Sequence, residues 1–150
     1  MSIATNPRQV RKQAREVRVV KPRQFDDQTP QTAGMRRFAA ISDVLTGSEL
    51  LWAGTMLAEP NTTSAVHHHG PQETVVYVAS GKSRVKWGGR LEHDAELETG
   101  DFLFIPPYMP HQEINPSPDQ QTMWVVVRSG QEAVVAELFK DHNGEYVAIV

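Results

Sequence analysis

The stretch His67-His68-His69-Gly70-Pro71-Gln72-Glu73-Thr74-Val75-Val76-Tyr77-Val78-Ala79-Ser80-Gly81 joins three consecutive histidines to a β-branched run that ends on a glycine. The run Glu73–Ala79 is short, rich in β-branched and aromatic residues and bounded by turn formers, which predicts a strand rather than a helix. Side chains alternate along an extended chain, so His67 and His69 share one face and His68 meets the other.

Working outward, the same grammar repeats. Further short apolar runs occupy 36–41, 50–58, 83–88, 91–97, 101–105, 111–114 and 122–128. Turn signals split them: Glu59-Pro60-Asn61, Gly88-Gly89, Thr99-Gly100, Pro106-Pro107 and Asn115-Pro116. Many short strands at near-regular spacing predict an all-β sandwich or barrel. Residues 131–140 read equally as a strand or a short helix, and 145–150 as a last strand.

The second histidine position is His111, which opens the run His111-Gln112-Glu113-Ile114. Here too i, i+2 spacing puts His111 and Glu113 on one face. Two such pairs suit a metal held between neighbouring strands. A helical site would show i, i+4 spacing, as in H-E-x-x-H, and that motif is absent. Taken singly, His111 reads as a hydrogen-bonded structural residue and the triple histidine as a surface cluster. The combination carries the metal reading.

Composition narrows the chemistry. The chain has 150 residues, six histidines and no cysteine. A disulfide framework, a thiolate zinc site, an iron–sulfur cluster and a cysteine nucleophile are therefore excluded. Any ion must be held by imidazole, carboxylate or water. The lack of cysteine accords with a reducing, cytoplasmic setting, and no apolar run approaches a bilayer span. No G-x-S-x-G, Walker or dinucleotide loop is present, so serine hydrolysis and nucleotide binding have no support.

The motifs resemble those of the cupin superfamily. The first cupin motif has H-x-H, three or four residues, a glutamate, and six residues to a glycine, and residues 67–81 resemble it with one departure in spacing. The second, G-x5-P-x-G-x2-H-x3-N, is met by Gly100, Pro106, His111 and Asn115, with Tyr108 in place of the central glycine. Seven residues separate Glu73 from Gly81 rather than six, and counting six back lands on Thr74. A one-residue slip reverses the face a side chain meets. The spacing H-x-H-x3-E-T-x6-G is similar to the pirin branch, in which the fourth ligand comes from an H-x-E pair, here His111-Gln112-Glu113.

The resemblance implies a single-domain, RmlC-like cupin: a double-stranded β-helix (jelly-roll barrel) over 35–150, with its motif core at 50–130. It implies one divalent transition metal per chain (Fe, Mn, Ni, Co or Zn) held by His67, His69, His111 and Glu113. Glu73 is the competing carboxylate, and whichever carboxylate is uncommitted is the candidate general base. Tyr108, beside the expected pocket mouth, is a candidate proton donor. Phe104 and Trp124 are candidate pocket walls, and Arg128, sharing a face with Trp124, is a candidate anion contact. His68 is expected outward.

Such a site supports a dioxygenase, placed first, or a sugar (phosphate) isomerase or epimerase; a non-enzymatic sensor is the third reading, because fold alone does not choose. Cupins commonly pair, and a homodimer is expected. An outward apolar set such as Val75 and Tyr77 would need cover if Val76 and Val78 face the core.

One feature lies outside the resemblance. Residues 1–23 carry seven basic residues against Glu16, a net of +6, while 24–150 hold eight against seventeen acids, a net of −9. Residues 1–34 are read as a basic arm and linker, either solvated or packed on the acidic body of a second subunit. Nucleic acid is not the expected partner, since no reader motif accompanies the arm.

Overall fold

The computed structural model describes residues 16–149. The first part of the basic arm, residues 1–15, lies outside them.

Among the described residues the alternating runs become eleven strands: β1 (Met35–Ile41), β2 (Trp52–Ala58), β3 (His67–His68), β4 (Thr74–Ser80), β5 (Ser83–Trp87), β6 (His93–Leu97), β7 (Phe102–Ile105), β8 (His111–Ile114), β9 (Thr122–Arg128), β10 (Ala136–Lys140) and β11 (Tyr146–Ala148). They form two antiparallel sheets, β1-β2-β9-β4-β7 and β11-β10-β3-β8-β5-β6. This is the jelly roll that the motifs imply. The ambiguous segment 131–140 resolves into β10, which pairs with β3 and β11. One short helix, α1 (Asp43–Thr46), was not expected from the sequence. Ser42 caps it by accepting the Leu45 N–H, and Gly47 ends it at φ +72.

Period-two burial sets which face looks inward. In β2 the residues Trp52, Gly54, Met56 and Ala58 are buried, and in β4 so are Thr74, Val76 and Val78. The core gathers Met35, Met56, Val78, Val85, Ile105 and Trp124 between the sheets. Val75 and Tyr77 therefore take the outer face. In β7 the inward pair is Leu103 and Ile105, while Phe102 and Phe104 look outward.

Two positions require glycine. At Gly54 an added Cβ would stand 2.1 Å from the Phe38 carbonyl oxygen, so β1 and β2 approach too closely for any side chain. At Gly81, φ is +85 and a Cβ would fall 2.7 Å from Thr122 Oγ1. Asn115, the last residue of the second motif, is fully buried. Its Nδ2 donates to the Ala58, Glu59 and Gln120 carbonyls, tying the exit of β8 to β2 and β9.

The segment read as a linker packs on the body. Asp26 exchanges backbone hydrogen bonds with Ala39 at 2.8 and 2.9 Å, and Gln31 brackets the Arg37 backbone from both sides. These contacts fix the direction in which Arg37 leaves β1.

Candidate metal centre

β3 and β8 are neighbours, and His67 stands opposite His111 in register. The pairing brings the two i, i+2 sets to one place. His67, His69, His111 and Glu113 each present one ligand atom, and these atoms all lie within 4.8 Å of one another. All four residues are buried; His111 is 0 % exposed and Glu113 7 %.

The orientation of the rings is fixed from behind. His67 Nδ1 donates to the Ala65 carbonyl at 2.8 Å, His69 Nδ1 to Val134 at 2.9 Å and His111 Nδ1 to Met109 at 2.9 Å. Each bond selects the tautomer that leaves Nε2 as a free lone pair. His67 Nε2 and His111 Nε2 are buried with no hydrogen-bond partner among the described residues. Buried polar atoms are rarely left so, and two of them converging with a carboxylate fit a metal ion. Glu113 is held in turn: its N–H donates to Ser64 Oγ at 3.0 Å and its carbonyl accepts the Ser64 N–H at 2.9 Å.

The charges suit the same purpose. Burial pushes His69 down to about 4 against the opposing pull of Glu113, and His67 and His111 add to the fall. Burial likewise lowers His111. Burial alone would raise Glu113, but the neighbouring His111, His67, His69 and Arg37 outweigh it and hold the carboxyl below its usual range. His69 and His111 are thus held as neutral imidazoles beside an ionised carboxylate, the protonation state that ligation requires.

A pH dependence follows. His69 takes up its proton near 6.5 when unfolded and near 4 when folded. Between those values the unfolded chain binds more protons, so stability is complete above the upper value and falls as pH drops through the window. The urea midpoint of ion-free protein is expected to fall between about pH 7 and about pH 4.5. A midpoint that holds steady or rises would contradict a buried neutral cluster.

Glu73 is not part of this cluster. It is exposed on the outer side of the entry to β4, where its N–H donates to Ser129 Oγ. Thr74 takes the inward position, 1 % exposed, as the spacing to Gly81 requires. Tyr108 sits at φ +58, the left-handed geometry for which the motif's glycine is suited, and its N–H donates to the Gly70 carbonyl. Its exposed ring meets His68 edge-on at 5.5 Å and lines neither cavity described below. Trp124 lies in the core, 1 % exposed.

Two cavities reach the cluster. An apolar cleft of about 250 Å³ leads to His111 past Val85, Trp87, Leu103, Ile105 and Met109, with Phe104, 57 % exposed, at its rim. A second, of about 20 Å³, touches His69 and Glu113 and is lined by Arg37, Trp52, Val126 and Arg128. The Arg128 guanidinium stacks on Trp52 at 4.1 Å, and burial, then Arg37, pushes it down to about 10, so it remains charged at neutral pH. Sequence reasoning missed Arg37. The available signal was parity, because Arg37 shares a face with Met35 and Ala39.

A barrel that holds three histidines and a glutamate between its sheets defines a class of protein, and the sequence match agrees with it. Residues 54–128 match the cupin domain family (Cupin_2), and the chain belongs to that family. No curated protein matches it. Among solved structures it is similar to KdgF from Halomonas sp. (18% identity, TM-score 0.63, covering 78% of this chain and 96% of that one). It is also similar to the polyketide cyclase RemF from Streptomyces resistomycificus (19%, 0.68, 86% and 90%). A third likeness is to Bacillus subtilis oxalate decarboxylase, described for its Mn(II) centres (20%, 0.62, 72% and 29%). The chain thus spans under a third of the oxalate decarboxylase. At these identities the likeness concerns the fold.

Proposed function

We propose that the protein is a metal-dependent enzyme acting on a small, oxygen-bearing organic substrate, with a dioxygenase reaction ahead of a sugar-type isomerisation. The observation that carries this reading is the buried His67, His69, His111 and Glu113 set, opening through His111 onto an apolar cleft. Three imidazoles and one carboxylate suit Fe, Mn, Ni, Co or Zn, and leave positions free on a six-coordinate ion. The Mn(II) centres named for the oxalate decarboxylase accord with such a ligand set. A bound ion would supply Lewis-acid polarisation of a substrate oxygen or, if redox-active, electron exchange with dioxygen.

The chain's own residues do the rest. The Ala65, Met109 and Val134 carbonyls hold the three imidazoles in the ligating tautomer. Arg37 stands near enough to Glu113 to favour its ionised form. Val85, Trp87, Leu103, Ile105 and Met109 exclude water and receive an apolar substrate body. That lining favours the dioxygenase over the isomerase, since sugar hydroxyls buried against it would lose hydrogen bonds to water without replacement.

The test is metal analysis of purified protein followed by oxygen uptake with a panel of aromatic and enolic substrates. Metal-dependent oxygen consumption supports the reading. Metal-dependent turnover that proceeds unchanged without oxygen selects the isomerase. A folded protein that neither carries nor takes up metal defeats both and leaves a sensor or binding module.

A second copy is the proposed cover for the outer face of the β1-β2-β9-β4-β7 sheet. Phe102 and Phe104 are exposed there beside Val75 and Tyr77, and Tyr77 and Phe102 pair at 4.7 Å. An uncovered apolar patch of this kind is uncommon on a monomer. Phe102→Asp is expected to turn a dimer into a monomer in light scattering. A wild-type protein that is already monomeric, or a variant that stays dimeric, would contradict the proposal.

A further inference from the structure

The smaller cavity carries a charge imbalance that the metal reading does not use. Arg128 is only 6 % exposed, yet its Nε has no hydrogen-bond partner and no carboxylate lies within ion-pair distance of it among the described residues. Its contact is the face of Trp52. Arg37 lines the same cavity. Its Nη1 is anchored by Thr32 Oγ1 at 2.9 Å and the Pro30 carbonyl at 3.3 Å, contacts that aim the group without neutralising it. The carboxylate on this cavity is Glu113, which has one negative charge to set against two guanidinium groups. One buried positive charge is unmatched before any ion binds, and a divalent ion raises the excess to three. Buried charge without a partner is costly, and proteins retain it where a ligand completes the set.

We infer that Arg37 and Arg128 form the seat for a carboxylate group of the substrate, next to the metal ligands His69 and Glu113. This rests on the metal-centre reading for its neighbour, but the charge imbalance exists without the ion. Three observations define the ligand class. Guanidinium forks match a planar carboxylate in two-point contact. The free space of about 20 Å³ is room for about one water, which disfavours a tetrahedral phosphate more than a flat carboxylate. Apart from Thr55, the remaining lining, Trp52, Met56, Val126 and Val135, is apolar and suits a carbon skeleton. The segment Pro30–Thr32 is then a positioning element for Arg37 rather than a passive linker.

The experiment is calorimetric titration of the full chain with malonate, with its uncharged analogue malonamide and with inorganic phosphate, at low salt. Each protein sample is also analysed for metal. The variants are Arg37→Gln, Arg128→Gln and Arg128→Lys, each checked for an intact melting transition. Malonate is expected to bind the wild type and malonamide not. Each Gln substitution is expected to weaken malonate at least tenfold, and Arg128→Gln is expected to do so while metal content per chain stays unchanged. Arg128→Lys, which keeps the charge and guards against a misfolded Gln variant, should weaken it less than Arg128→Gln. Arginine-dependent malonate binding by a metal-free protein would sustain the seat while removing the metalloenzyme reading. No malonate binding by the wild type at millimolar concentration, equal binding of malonamide, tighter binding of phosphate, or malonate affinity unchanged in both Gln variants would each overturn the proposal.

Discussion

His111→Gln is expected to abolish stoichiometric metal binding and lower affinity by more than about 100-fold, because loss of an outer partner alone costs ~10–100-fold. The substitution keeps a buried polar side chain of similar size but removes the Nε2 lone pair at the centre of the cluster. His111 touches both other rings, with centroids 4.3 Å from His67 and 5.0 Å from His69. No neighbouring side chain is placed to substitute for it among the described residues. The thermodynamic readout is the stabilisation conferred by the ion. At a free ion concentration ~100 times Kd, binding adds about 2.7 kcal/mol to the wild type. The variant should gain almost none, and its chelated form should melt near the chelated wild type. Glu113→Gln should behave like His111→Gln, whereas Glu73→Gln should bind metal as the wild type does. Full metal retention in Glu113→Gln with loss in Glu73→Gln would transfer the fourth ligand to the other carboxylate.

Trp124→Ala is expected to be the most destabilising single change in the barrel, by about 3–5 kcal/mol. The indole is 1 % exposed and sits in the core beside Met35, Met56 and Val78, so the truncation leaves a cavity that two sheets joined by register cannot close. For a domain of this length that corresponds to a fall of about 6–20 °C in melting temperature. Trp124→Phe should cost far less, under about 1.5 kcal/mol. The indole Nε1 has no acceptor among the described residues, so the phenyl ring gives up volume but no hydrogen bond. A melting temperature for Trp124→Ala within a degree or two of the wild type would mean that the core has been misplaced. Loss of turnover at unchanged stability would return Trp124 to the pocket wall.

What the sequence disclosed and what it hid have separate physical causes. Spacing was informative wherever period-two alternation sufficed. His111 and Glu113 share a face because both lie in β8, His67 lies in β3 with His69 just past its end, and the pairing of β3 with β8 joins the two sets. The offset of Glu73 from Gly81 likewise foretold that Thr74 would look inward.

Alternation does not say which of two apolar sets is the inner one. In β7 the larger aromatics Phe102 and Phe104 look outward and Leu103 and Ile105 look in, because the outer sheet face is itself apolar. Nor does local sequence report long-range partners. Arg37 becomes part of the site through β1 pairing with β2 and through anchorage by residues 30–32. The Val134 carbonyl reaches His69 across 65 residues of chain. Helix α1 was missed because it is four residues long and rests on a Ser42 cap and a Gly47 stop rather than on any periodicity. The first fifteen residues of the basic arm lie outside the described residues, and the two readings of the arm, solvated or packed on a second subunit, are separated by truncation and sizing.

The measurement that bears most directly on the central claim is elemental analysis of the purified protein combined with an anomalous-scattering map of its crystals. The account predicts one divalent transition ion per chain, with its anomalous peak enclosed by Nε2 of His67, His69 and His111 and the carboxylate of Glu113. A protein free of metal after attempted reconstitution, or a peak ligated by Glu73 in place of Glu113, would contradict it.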